Sequence, residues 1–465
     1  MRDLIKKFPY PIKQGLKYIY GAIPPKIRLG KVFWETYNFL QESQWWSKEK
    51  IEEYQFQQSK KIILHAYNNV PGYKDLFDKY SLNPDLILSM SDIKKFPFIT
   101  KEDLRDSLEK FVAKNYPPNQ LEYLTTGGST AIPFGFYHLK QFNWPIEWAF
   151  FRILWERVDY HERDKCISFA GAFIANREKN KYWEYNPVNR WLSFSVYHLI
   201  EPYISKYIKK IKEFRPDFIH GYPSAITILA NYILENKIKD FPSIKAILCG
   251  SENLYDWQRE LFEKVFKCRV FNWYGHAEKV VLAGECEYSY LYHVFPEYGL
   301  TEIVDKDGKE ITREGEVGEI VGTSFYNLAV PFIRYKTRDL AVVTNNKCQC
   351  GRNYRLLKRV EGRLQEMIVT RDNRYISMTA INMHSNVFDN VRQFQFYQEK
   401  KGEVVFQIVK KDTYTAQDTE NIKRALLKKF GGETELIIRF VNNIPLAPSG
   451  KYRFLVQKLK LGFGD

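Results

Sequence analysis

Six consecutive residues, Thr125, Thr126, Gly127, Gly128, Ser129 and Thr130, consist only of hydroxyls and glycines. Glycines let successive backbone N–H groups turn into one concavity, and hydroxyls add donors around it, so the chemistry on offer is anion binding. Taken alone, the run reads equally as a surface turn rich in Thr and Gly. It is not a Walker loop, because no Lys-Ser or Lys-Thr follows the glycines. A triphosphate held there needs a neutralising cation from elsewhere in the chain. A second set has metal-ligand character: Cys286 and His293 are spaced C-x6-H, and Cys348 and Cys350 form C-x-C beside Gly351. Three thiolates and one imidazole make a tetrahedral set suited to structural Zn²⁺, with no open position for catalysis. The spacing matches no standard zinc finger, and these residues also read as ordinary cysteines, like Cys166, Cys249 and Cys268.

The elements that must carry these residues alternate strand, turn and helix. An apolar lead-in (Leu121, Tyr123, Leu124) enters the Thr/Gly run and Pro133 closes it. Phe218 to His220, Ala246 to Cys249 and Val270 to Trp273 read as strands, each followed by a glycine-containing turn. That alternation predicts an α/β fold with parallel strands and ligands at the strand C-termini. Upstream, Ser47 is a helix cap before Ile51, Tyr54, Ile62, Ile63 and Tyr67, and Pro71-Gly72 breaks that helix. Thr100 caps another, and a strongly aromatic helix runs around Trp144 to Trp155. From Tyr298 hairpins take over, with VPFIRYKTRDLAVVT read as a strand pair around a charged centre. After Arg363 a smaller α+β region begins. The expected division is a basic N-terminal arm over 1–41, a large domain with parallel sheets and a β-rich subdomain over 42–362, and a small mobile domain over 363–465.

The 465 residues are 45% hydrophobic and 16% aromatic, ample for a large core, and the net charge is +15. Part of that charge is local: Arg2, Lys6, Lys7, Lys13, Lys17, Lys26, Arg28 and Lys31 face only Asp3 before Trp34. Interleaved aromatic and aliphatic residues suit peripheral contact with an anionic membrane, or a solvated basic arm. Elsewhere acidic and basic residues are interspersed, which argues against nucleic acid as a partner. No secretory signal, apolar membrane span or disulfide framework is legible, so a cytoplasmic protein is expected.

In chain order stand TTGGSTAIP, GSE, WYGHAE, RYKTRD, GRLQE and PLAPSGKYR. This series resembles the adenylate-forming acyl ligases, the acyl-CoA synthetase superfamily. RYKTRDL followed by CQCGR, with HAYNNVPGY upstream, is similar to the phenylacetate–CoA ligase family, in particular to members from capsular polysaccharide gene clusters. The resemblance extends from about Ser43 to the C-terminus. It implies that ATP and a carboxylic acid give an acyl adenylate and pyrophosphate, after which a nucleophile takes the acyl group. Coenzyme A is the expected acceptor, with an amine or hydroxyl in polysaccharide biosynthesis as the alternative.

By the same resemblance, Thr125 to Thr130 cradle the β,γ-phosphates and Glu278 holds Mg²⁺, a hard cation that takes carboxylate oxygen. Gly250, Ser251 and Glu252 border adenine, and Asn272, Trp273, Tyr274, Gly275 and His276 line the nucleotide, Tyr274 against the adenine face. Asp339 accepts both ribose hydroxyls; otherwise it is a salt-bridge partner of Arg334 or Arg338. Arg363 reaches the ribose or phosphates at the domain junction. Lys451 is the catalytic cation, bridging two anions in the transition state, though it also reads as part of a flexible basic tail. The acyl pocket draws on Tyr137 to Trp148, Gly171 to Phe173 and His220 to Ser224. Four departures from the family pattern bear on rate: Ala131 for a glycine, Phe134 after the proline, Ala277 for a Thr or Ser, and Gln365 for a hinge aspartate. The small domain is expected to swing between adenylation and transfer poses.

Overall fold

Among the described residues, twelve strands form one continuous mixed sheet. The computed structural model describes the chain outside residues 1–9, 126–133, 141–142, 171–181, 364–366, 373, 382–385, 432–433, 448–450 and 460–465. Two strands, β1 (Leu121–Thr125) and β2 (Gly135–Leu139), which flank the Thr/Gly run in the chain, pair as a separate hairpin. Next come β3 (Cys166–Phe169), β4 (Trp183–Asn186), β5 (Trp191–Phe194), β6 (Phe218–Gly221), β7 (Ala246–Cys249) and β8 (Arg269–Gly275). The hairpin region supplies β9 (Leu282–Gly284), β10 (Tyr292–Val294), β11 (Gly299–Val304), β12 (Val317–Ser324), β13 (Tyr335–Val343) and β14 (Leu356–Arg363). Their spatial order is β11-β12-β13-β14-β10-β9-β8-β7-β6-β3-β5-β4.

The run β8-β7-β6-β3-β5 is parallel. Its central strands CISF and AILC are buried at every residue, as strands covered by helices on both faces must be. Tyr203–Phe214 shows how they are covered: Ile204, Tyr207, Ile208 and Ile211 recur on one buried stripe, and Arg215 ends the helix in the left-handed region at φ 50°. Ser47 accepts from the Lys50 N–H at the start of Lys48–Asn69, and Pro71 opens the next helix.

The small domain holds β15 (Met367–Val369) and β16 (Tyr375–Ser377) as one pair. It also holds a four-stranded sheet of β17 (Val391–Gln398), β18 (Glu403–Lys410), β19 (Glu435–Phe440) and β20 (Leu455–Gln457), ordered β19-β18-β17-β20. The helix Ala416–Phe430 packs Ile422, Leu426 and Phe430 onto it.

Two expectations are corrected. The N-terminal arm does not extend to residue 41: Gly30–Ser43 lies against the aromatic helix Asn143–Glu156, with Phe33 and Leu40 buried in that core. The charged segment after Val330 is one strand, β13, and not a pair. Arg334 sits just before it at φ 45°, buried in a bidentate pair with Glu302 (3.0 and 2.7 Å), and donates to the carbonyls of Lys94 and Phe96. A buried guanidinium satisfied this way turns the backbone into the strand instead of opening a hairpin.

Candidate active site

The parallel strands β6, β7 and β8 end side by side, and the glycine-containing turns open at that edge. In open α/β sheets this crevice is where ligands bind. Gly250 is dictated by its neighbour: a Cβ there would lie 2.4 to 2.6 Å from three atoms of the Trp273 indole. Ser251 follows at φ 65° and turns its carbonyl outward, where Lys451 Nζ donates to it at 2.7 Å. Glu252 does something other than border a base. Its carboxylate turns back to the helix Pro223–Glu235, accepting from Ser224 N–H and Oγ (3.0 Å each) and from Tyr452 N–H at 3.2 Å. Burial pushes this carboxyl up to about 7, opposed by the Ser224 hydrogen bonds and the Lys451 charge.

On β8, alternation sorts the expected nucleotide residues onto two faces. Tyr274 donates to Asp339 Oδ2 at 2.7 Å, and Asp339 on β13 is 7% exposed. Arg334 and Arg338, the alternative partners, pair instead with Glu302 and Glu102. Across the β13–β14 ladder Asp339 faces Arg363, whose side chain lies outside the described residues. Four residues back along β13, Tyr335 donates to Glu278 Oε1 at 3.3 Å. His276 Nδ1 stands 3.5 Å from Glu278 Oε2, and neither ring nitrogen has a hydrogen-bond partner although both are buried. Orphaned imidazole nitrogens beside a carboxylate and a tyrosine hydroxyl fit the magnesium-and-phosphate end of a nucleotide. Asn272 is buried and donates to the Tyr292 hydroxyl at 2.5 Å, so its amide serves the sheet. Gly275 ends the strand. Asn253 Nδ2 reaches the Glu361 carbonyl at 3.3 Å, tying the β7 turn to β14.

Glu278, Asp339 and Lys451 thus lie around one group of turns drawn from residues 250 to 451 of the chain. Thr125 ends β1 at the foot of the Thr/Gly run. Thr126, Gly127, Gly128, Ser129, Thr130 and Ala131 lie outside the described residues, as do Gly171 to Phe173 and Gln365.

The other face of β8 carries Trp273 into a cavity of about 200 Å³ with Trp144, Trp148, Phe151 and Trp155. His220 and Glu147 complete its lining; Glu147 pairs with Lys279 at 2.8 Å. His220 is packed between Trp155 and Trp191, 3.3 Å from Ser168 Oγ, and burial pushes its imidazole down to about 4, so it is neutral at pH 7. The indole N–H groups of Trp155 and Trp273 are buried without partners. Of the expected pocket residues, Trp144, Trp148 and His220 line the cavity, whereas Ser224 is turned to Glu252. Sequence reasoning missed Glu147 by name and Trp155, and it set Trp273 on the nucleotide, whereas the structure turns it into this cavity. Alternation on β8 carries the signal for the last, since Trp273 and Tyr274 cannot face the same side.

A second cluster lies apart, where β9 and β10 meet the end of the β13–β14 connection. The ligand atoms of Cys286, His293, Cys348 and Cys350 all lie within 4.8 Å of one another. Cys286 and Cys348 sulfurs are 3.4 Å apart, and Cys350 Sγ is 3.2 Å from His293 Nε2. His293 Nδ1 is 3.0 Å from the Leu291 carbonyl, an orientation that turns Nε2 toward the sulfurs. Hydrogen bonding from Cys350, then from His293, pulls the Cys286 thiol far below its ordinary range despite burial. The donor set is closed, with four protein ligands, as a structural Zn²⁺ requires.

Residues 368–458 match the CapK C-terminal domain family. Over 455 residues the chain is 28% identical to protein CapK of Staphylococcus aureus, covering 95% of this chain and 96% of that protein. Over 341 residues it is 25% identical to the phenylacetate–coenzyme A ligase of Thermus thermophilus, covering 70% and 73%. In fold it resembles a 2-hydroxyisobutyryl-CoA ligase in the postadenylation state, bound to R3-HIB-AMP: TM-score 0.69, 17% identity, 90% of this chain and 93% of that one. The same ligase in its thioesterification state superposes at a TM-score of 0.57 (17% identity, 89% and 90% covered).

Proposed function

Since the chain belongs with the adenylate-forming ligases, among relatives of CapK and the phenylacetate–coenzyme A ligases, we propose that it joins a carboxylic acid to AMP from ATP. Pyrophosphate leaves in that step, and the acyl group then passes to an acceptor, the thiol of coenzyme A. The observation that carries the reading is that the Tyr274–Asp339, Tyr335–Glu278 and Lys451–Ser251 contacts all form where the neighbouring parallel strands β7 and β8 end. Asp339 accepts from the ribose hydroxyls and Tyr274 keeps its carboxylate aimed. Glu278, held by Tyr335, is the carboxylate for Mg²⁺, which when bound would offset phosphate charge. Lys451 brings an ammonium to the carboxylate and α-phosphate oxygens as they meet. Arg363 and the Thr/Gly run at 125–130 add phosphate or ribose contacts.

The acid occupies the tryptophan-lined cavity. Its small volume and aromatic lining fit a compact acid with an apolar body. The match to CapK along nearly the whole chain favours a second reading of the transfer step, to an amine or hydroxyl in surface polysaccharide biosynthesis. Hydroxylamine trapping with a panel of acids, followed by AMP release with and without coenzyme A, separates the two. Coenzyme A dependence supports the first reading; AMP release unmoved by coenzyme A supports the second; no hydroxamate with any acid overturns both.

Zn²⁺ at Cys286, His293, Cys348 and Cys350 closes the hairpin region and takes no part in the chemistry. The enzyme works in the cytoplasm, where ATP and coenzyme A are found; no helix among the described residues is long and apolar enough to cross a membrane. The N-terminal helix Tyr10–Ala22 makes a peripheral contact with anionic lipid. Lys17 and Gln14 face inward to Glu184, while Ile12, Tyr18 and Ile19 point outward at 50%, 57% and 68% exposure. Recovery on anionic vesicles by flotation should fall for Ile12→Glu/Ile19→Glu; equal recovery contradicts the contact.

A further inference from the structure

Lys451 does not reach the crevice on a free tail. Residues 451 to 454 are stitched to the large domain at three points. Lys451 Nζ donates to the Ser251 carbonyl (2.7 Å), Tyr452 N–H donates to Glu252 Oε1 (3.2 Å), and the Phe454 ring stands edge-on to Tyr255 at 5.3 Å. The side chain of Tyr452 belongs to the other body: its hydroxyl donates to the Phe394 carbonyl on β17. Gln395 Nε2 meanwhile holds the Arg453 carbonyl at 2.9 Å. Tyr452 is therefore fixed to the small domain by its ring and to the large domain by its N–H, one residue from the catalytic ammonium. Rotation of the small domain must break the Glu252 bond.

We propose that Glu252 is a positioning residue, a carboxylate latch on the large domain that holds the Lys451 segment in the adenylation pose and lets go for acyl transfer. The proposal rests on the adenylate-forming reading above. The carboxylate is well placed for such a role. It is turned inward at the N-terminus of Pro223–Glu235, where Ser224 satisfies it in either pose, and only the Tyr452 bond depends on the domain angle. The charged and titratable groups that face it are Lys451 from the tail, Tyr222 from the helix start and Cys249 from β7. Its ionisation falls near neutrality, and the ionised form, with two acceptor oxygens, makes the stronger hydrogen bond to the amide. The adenylation pose is therefore favoured as pH rises through about 7.

Glu252→Gln tests this in the full-length enzyme. Acid-dependent ATP–pyrophosphate exchange reads the adenylation pose, and acyl transfer from a supplied adenylate reads the other. The variant is expected to lose roughly tenfold in exchange, one charge-assisted hydrogen bond's worth. Transfer should be retained, and the rise of exchange across neutral pH should disappear. Ser224→Ala, which weakens the same carboxylate's anchorage without touching Tyr452, should leave the ratio of the two half-reactions unchanged. Equal losses in exchange and transfer, or an unchanged ratio and pH profile in Glu252→Gln, overturn the latch. Absence of exchange in the wild type with every acid instead overturns the adenylate-forming reading beneath it.

Discussion

Gly250→Ala tests how the β7 turn and the tryptophan-lined cavity share one wall. The new Cβ would meet Trp273 Cε2 at 2.4 Å, Nε1 at 2.5 Å and Cζ2 at 2.6 Å, and ordinary contact begins at 3.4 Å. The indole must therefore move by about 1 Å (3.4 − 2.4). Phe151 stands edge-on to it at 4.7 Å, so the ring is pressed toward the cavity it lines. Overpacking of this kind costs about 1–3 kcal/mol. If about half of the upper figure, ~1.4 kcal/mol, falls on the bound state, KM for the acid rises roughly tenfold while KM for ATP stays within twofold. Acid-dependent pyrophosphate exchange, with acid and ATP varied separately, measures both. Thermal unfolding and near-ultraviolet dichroism of the tryptophans give a readout that needs no substrate. Trp273→Phe in the same background should recover stability, because the smaller ring no longer reaches the Cβ. An unchanged melting point with unchanged KM for the acid, or a rise confined to ATP, refutes the shared wall.

Tyr274→Phe removes the hydroxyl that aims Asp339 and should raise KM for ATP by roughly ten- to a hundredfold with little change for the acid, a hydrogen bond to a charged group being worth ~1.5–3 kcal/mol; steady-state exchange kinetics check this. His220 carries a sign that can be worked out. Its folded value near 4 lies below the ordinary 6.5, so the unfolded chain binds more protons between them, and stability is lost as pH falls from 6.5 toward 4. That loss is about 3 kcal/mol (2.5 × 1.36) at its fullest, and His220→Gln should flatten the acid limb in denaturant titrations at pH 5 relative to pH 7. Protein purified without a chelating column should carry about one equivalent of zinc, and Cys286→Ser should lose the metal and melt lower. Less than half an equivalent in the wild type contradicts the metal site.

The units legible in the sequence were those whose signal is local. CISF and AILC are short apolar runs bounded by turn residues, and they are the buried parallel strands. Ser47 and Thr100 cap helices as their side chains predict. Thr415, which caps Ala416–Phe430 in a reciprocal box with Asp418, carries the same signal. Where partners are remote, the reading failed. RYKTRD looked like the centre of a hairpin because Glu302, which neutralises Arg334, is 32 residues away. Residues 30–41 looked like an arm because the basic run hid Phe33 and Leu40, whose packing partner is a helix more than a hundred residues on. Within the candidate site, chain order marks turns that the fold brings to one sheet edge, but not side-chain direction. Glu252 sits in one of those turns and Asn272 on β8 just before another, yet they serve a helix terminus and the sheet. The cysteine and histidine pairs were each legible by spacing, while their meeting depends on the β10–β14 pairing.

The central claim is that bends far apart in the chain assemble one site for ATP and a carboxylic acid, completed by the tail lysine. Lys451→Ala measured in the two half-reactions addresses it most directly. The account predicts that acid-dependent ATP–pyrophosphate exchange is lost by two orders of magnitude or more (about 2.7 kcal/mol or above), while acyl transfer from a supplied adenylate persists. Exchange at the wild-type rate in that variant would contradict it.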